Sequence, residues 1–142
     1  MKGRTGGRKM RYMMLIYKKE NAEARSPEEN LQVMEAVWTV IDEATRRGVL
    51  QGCEPLAPTS TATTIRTQNG KTLITDGPFA ETKEQLAGYY IMDCKDLDEA
   101  LEWAAKIPHC GGANGCIEVR PLPGLPTREE FMAQAGARSH NG

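Results

Sequence analysis

A chain of 142 residues, 39% hydrophobic and 26% charged, has the size of one domain with a single core and the composition of an ordinary globular protein. A net charge of −1 gives no overall field that would draw it to nucleic acid, so no nucleic-acid partner is expected. No run of about 18 apolar residues is present, which argues against a transmembrane helix and a membrane partner.

Residues 1–9 carry Lys2, Arg4, Arg8 and Lys9 among three glycines and no acid. They read as a disordered basic extension, with Met10 as a second start. No apolar segment with a small-residue cleavage site follows, so no targeting signal is read and the expected location is the cytoplasm.

The folded domain is expected over residues 10–122. Residues 11–17 form a short apolar and aromatic run of strand length. Ser26-Pro27-Glu28-Glu29 then opens a helix, with Ser26 as cap, Pro27 in the first turn and Glu29 completing a capping box. Leu31, Met34, Trp38 and Ile41 recur at helical spacing on one face, and Gly48 ends the element. Residues 49–56 are extended and stop at Pro55 and Pro58.

Asn69-Gly70 is a preferred two-residue hairpin turn. Pairing outward sets Arg66 against Leu73 and Ile65 against Ile74, which predicts a half-buried ribbon. After the Asp76-Gly77-Pro78-Phe79 turn, residues 86–94 read as a central strand. Asp96 caps a second helix that Pro108 stops, and residues 116–120 form a last short strand. Residues 123–142 are a tail with one short helix predicted around 128–135.

Cys53, Cys94, Cys110 and Cys116 form no Cys-x-x-Cys pair, and with two histidines no metal site or cofactor is predicted. Cys94 reads as a small core residue. His109 beside Cys110 is the one Cys–His pair adjacent in sequence, a conceivable nucleophile–base seed, and it falls in a helix-exit loop.

The order β-α-β-(hairpin)-β-α-β is an α+β, ferredoxin-like βαββαβ plan with an inserted hairpin. Two helices cover one face of the antiparallel sheet. The other face carries Met13, Leu15, Tyr89 and Ile91 or the residues alternating with them, and strands this apolar on both faces call for a second cover. A second copy supplies it most simply, so a homodimer whose sheets enclose a dimeric α+β barrel is predicted.

Several segments together resemble the YCII-related family. They are residues 10–17 (Met-Arg-Tyr-Met-Met-Leu-Ile-Tyr), Ser26-Pro27-Glu28, residues 61–66, the run from Asp76-Gly77-Pro78-Phe79 through Gly88-Tyr89-Tyr90, and Glu118-Val119-Arg120-Pro121-Leu122. More narrowly, they resemble the branch of that family marked by the Asp-Gly-Pro-Phe motif. The resemblance covers residues 10–122. It implies a ferredoxin-like fold and a dimeric α+β barrel. The wider group is similar to small-molecule isomerases, lyases and dehydrochlorinases in which a His–Asp pair is the proposed active site. Asp76 matches the motif aspartate. The histidine does not carry over, since His109 is the only one in the matched region. The branch also resembles proteins encoded beside extracytoplasmic-function sigma factors, which implies a regulatory role as the alternative.

Two functional readings follow. In the first, Asp76 is a general base that abstracts a proton beside a carbonyl, or drives an elimination, on a small anionic or lactone-like ligand. Arg66 or Lys83 would anchor the ligand, and Tyr89 or Tyr90 would donate a hydrogen bond to the developing enolate. Phe79 would line the site or fill the core. In the second, the protein is a non-catalytic dimeric module that binds a metabolite or a protein partner. Asp before Gly-Pro is also a favoured turn starter, because its carboxylate can accept nearby backbone N–H groups. A structural Asp76 is therefore the competing assignment.

Overall fold

The computed structural model describes residues 9–20, 25–108 and 115–141. Its elements are β1 (Met10–Lys18), α1 (Pro27–Arg46), β2 (Leu50–Pro55), β3 (Thr63–Gln68), β4 (Lys71–Asp76), β5 (Gln85–Cys94), α2 (Leu97–Lys106), β6 (Cys116–Leu122) and α3 (Arg128–Asn141). Four strands make one antiparallel sheet in the order β2-β5-β1-β6, and β3 pairs with β4 as a separate hairpin. The α+β ferredoxin-like plan is thus present, with the hairpin set between its second and third sheet strands. His109 and Cys110 lie outside the described residues, as do residues 1–8 of the basic extension.

The two-residue period of the strands sorts the sheet into two faces. Tyr12, Met14 and Ile16 of β1 and Tyr90, Met92 and Cys94 of β5 point to one face and are buried. The register sets Met14 opposite Tyr90 and Tyr12 opposite Met92. Val40 and Ala44 of α1 close over them, together with Ala100, Trp103 and Ala104 of α2. No polar residue is buried among the described residues, so this core rests on apolar burial alone.

Local chemistry fixes the helices. The Glu29 N–H donates to Ser26 Oγ at 3.2 Å and the Ser26 N–H donates to Glu29 Oε1 at 2.9 Å, a complete capping box. Gly48 takes φ +70° just past the end of α1, where a left-handed residue releases the chain into β2. The Asp96 carboxylate accepts the Glu99 N–H at 2.9 Å at the start of α2. Glu43 then joins the two helices, 3.2 Å from Arg47 and 3.3 Å from Lys106, and both cations lie over the Trp103 ring.

Three expectations change. The hairpin pairs as predicted, but it is not half-buried, because Ile65 is 66% and Ile74 is 69% exposed. The ribbon pairs apart from the sheet, and among the described residues nothing covers that face. Leu31, Met34 and Trp38 of α1 are likewise exposed, since only the second half of the helix meets the core. The tail helix α3 reaches Asn141, beyond the predicted end near residue 135.

Candidate functional site

The motif turn grows directly out of the hairpin. Asn69 and Gly70 hold φ of +52° and +77°, the left-handed pair that a tight hairpin turn requires. That turn fixes the register so that Asp76, the last residue of β4, lies opposite Thr63. Directly opposed residues share a face, so Asp76 belongs to the face that carries Ile65 and Ile74, and Thr64 and Arg66 belong to the other.

The chain then turns at Gly77, where φ is +101°. Three donors hold the turn against β3. The Gly77 N–H donates to the Ala62 carbonyl at 2.7 Å. Thr64 Oγ1 donates to the Gly77 carbonyl at 2.8 Å, and Arg66 Nη2 donates to the Phe79 carbonyl at 3.0 Å. The peptide bond before Pro78 is trans, as are all those described. The carboxylate of Asp76 takes part in none of this. Among the described residues no hydrogen bond or ion pair reaches it, and the residue is exposed. The turn is therefore built without an Asp side-chain cap.

The remaining predicted site residues divide. Arg66 is committed by one N–H to the turn, and its guanidinium has further donors to offer. Phe79 is 75% exposed and does not fill this chain's core. Lys83 lines a cavity of about 670 Å³ together with Pro78. Tyr89 and Tyr90 occupy opposite faces of β5. Tyr90 lies in the core beneath the helices, while Tyr89 is on the helix-free face, opposite Leu15 on one side and Glu54 on the other. The structure thus places Asp76 and Arg66 on opposite faces of the hairpin at the motif turn, with Phe79 and Lys83 following in sequence, and separates the two tyrosines.

Some residues at this turn gave no signal in sequence. Thr64 braces the motif, and only the hairpin register would have found it, two positions before Arg66 on the same face. The Glu20 carboxylate accepts the N–H and hydroxyl of Thr59 at 2.9 and 2.7 Å, tying the end of β1 to the short 3-10 turn Thr59–Thr61 that leads into β3. Those residues are 39 positions apart. No group of three His, Cys, Asp or Glu side chains among the described residues is arranged to hold a metal ion.

The YCII-related domain family matches residues 10–123. The chain belongs to that family. An uncharacterised protein of Rhizobium meliloti (strain 1021) is 43% identical to it over 114 residues, which is 80% of this chain and 92% of the relative. The matched stretch of the YCII-related domain takes in all six strands, α1, α2 and the Asp76-Gly77-Pro78-Phe79 turn, and it stops before α3.

Proposed function

We propose that this YCII-related protein is a homodimeric, cofactor-free small-molecule enzyme of the isomerase or lyase type. Asp76 is its base and a small anionic or lactone-like molecule is its ligand. The observation that carries the reading is the uncommitted carboxylate of Asp76. A turn that starts with Asp normally spends that group on its own N–H groups, whereas here Ala62, Thr64 and Arg66 hold the turn instead. A carboxylate kept in place and left free is available for proton transfer. Lys83 supplies a cation for an anionic ligand, Arg66 adds a second at the edge of the turn from the opposite face of the hairpin, and Phe79 supplies an apolar wall. Tyr89 joins them when a second copy covers the helix-free face.

The dimer has its own support. Met13, Leu15, Tyr89 and Ile91 form a partly exposed apolar row on that face, and the Ile65/Ile74 face of the hairpin beside Asp76 is also uncovered. Covering the hairpin face would exclude water from the surroundings of Asp76.

The test is turnover of a panel of lactones and halo-acids by the wild type and by Asp76→Asn. The expected loss in the variant is about 100-fold or more, the scale of a missing general base. Equal turnover by the two proteins would remove Asp76 from the chemistry. The alternative, a non-catalytic metabolite-binding or regulatory module, draws on the exposed stripe of Leu31, Met34 and Trp38 on α1, a surface suited to a protein partner. It is favoured if no panel member is turned over by either protein.

A further inference from the structure

Helix α1 meets the rest of the chain on only part of its circumference. Val40 and Ala44 are buried, and Val33 and Val37 are half-buried on the same side. Glu43 and Arg47 face α2, through Lys106 and the Trp103 ring. At about 100° per residue, Trp38 stands roughly 180° from Arg47, on the side of the helix away from α2. There Leu31, Met34 and Trp38 are 53%, 42% and 49% exposed, and Ile41 continues their row into the core. Three large apolar side chains in line differ from the single exposed residues of an ordinary surface.

The spacing of Leu31, Met34, Trp38 and Ile41 is the alternating three-and-four step of a coiled-coil seam. Glu28, Glu35 and Asp42 recur every seven residues along the solvent flank of that seam, and all three are exposed. The other flank carries the uncharged Asn30 and Val37. Charges beside a seam select its partner. A second copy does not match this row. Across a two-fold seam the acids meet either themselves or Asn30 and Val37. An anionic membrane surface is repelled by the same acids. A helix with an apolar face and a row of lysine or arginine beside it complements both features.

We infer that α1 docks a basic amphipathic helix of another protein, laid along Leu31, Met34 and Trp38 with its cations over Glu28, Glu35 and Asp42. The inference rests on the second of the two readings above, a module with a protein partner, and gives that partner its chemistry. Binding is measured without turnover, so the docking face and the chemistry of Asp76 stand or fall separately.

The probes are two dye-labelled synthetic peptides of three heptads, both with leucine along the seam, one flanked by lysine and the other by glutamate. Each is titrated with the full chain at about 0.15 M salt, where distant surface charges are screened, and binding is read by fluorescence anisotropy. The expected result is saturable binding of one lysine peptide per chain, with the glutamate peptide at least about tenfold weaker. Tryptophan emission moves to shorter wavelength with the unlabelled lysine peptide, because Trp38 becomes covered while Trp103 is already buried. Trp38→Ala weakens the lysine peptide about 30-fold, the scale of an interface anchor. Glu35→Lys combined with Asp42→Lys reverses the preference between the peptides while the folded circular dichroism spectrum is kept. Glu102→Lys, on the exposed side of α2, leaves it unchanged. Absence of saturable binding overturns the inference. So does equal binding of the two peptides by the wild type, or lysine-peptide binding that Trp38→Ala does not weaken. Self-association of the wild type that is lost in Trp38→Ala would assign the stripe to a second copy and overturn it as well.

Discussion

At Gly77 the backbone sits at φ +101°, and a Cβ added there would meet nothing within 4 Å. A substitution is therefore resisted by backbone strain and not by crowding. Gly77→Ala is expected to cost about 1–3 kcal/mol, read as a lowered midpoint in urea unfolding with an unchanged slope. The neighbouring Asp76 has no such duty, and this contrast between adjacent residues was not legible in sequence. Asp-Gly-Pro states that the chain turns. It does not state that Ala62, Thr64 and Arg66 hold the turn, because that depends on how the strand before the hairpin meets the residues after it. Cys94 was legible, as a small core residue in an apolar strand. Burial, reinforced by the carboxylates of Glu99 and Asp93, pushes its thiol up to about 11 from an ordinary 9.0. In the unfolded chain the thiol ionises near 9.0, while in the folded chain it keeps its proton. The stability it contributes is therefore complete below pH 9 and lost as pH rises toward 11. Melting temperature is expected to fall more steeply over that window in the wild type than in Cys94→Ala. Parallel curves would contradict the assignment.

Among the elements, β5 sets the tightest constraint. It lies between β1 and β2, and at Gly88 an added Cβ would stand 2.9 Å from the Glu54 carbonyl oxygen and 3.2 Å from Pro55 Cα. Both neighbours are backbone and cannot rotate away. Gly88→Ala is expected to cost about 3 kcal/mol, a fall of roughly 10 °C in melting temperature for a domain of this size. A change below 2 °C would show that β2 moves aside freely. Helices α1 and α2 were legible nearly to the residue, because Ser26-Pro27-Glu28-Glu29, Gly48 and Asp96 are local stop and start signals whose hydrogen bonds close within four positions. The hairpin register was legible for the same reason. Its exposure was not, since whether Ile65 and Ile74 are covered depends on contacts that no local rule contains.

At the scale of the whole molecule, the strand order follows from the sequence of elements, and the helix-free face follows from the two-residue period of β1 and β5. None of the described helices is long and apolar enough to cross a membrane. The proposed covering of that face by a second copy is open to a direct check. Leu15→Asp places a charge in the middle of the apolar row, opposite Tyr89. It is expected to convert a dimer into a monomer by light scattering after gel filtration, with the helical signal retained. A wild type that is monomeric would contradict it. The decisive property of the molecule, however, is whether its fold uses the Asp76 carboxylate. Asp76→Asn removes the charge and keeps the shape, so its melting curve, taken beside its turnover, separates a turn cap from a working group. The expected result is a melting temperature within about 1 °C of the wild type together with lost activity, because among the described residues no hydrogen bond to that carboxylate is there to lose. A fall of several degrees, with ligand binding unchanged, would show instead that Asp76 serves the fold.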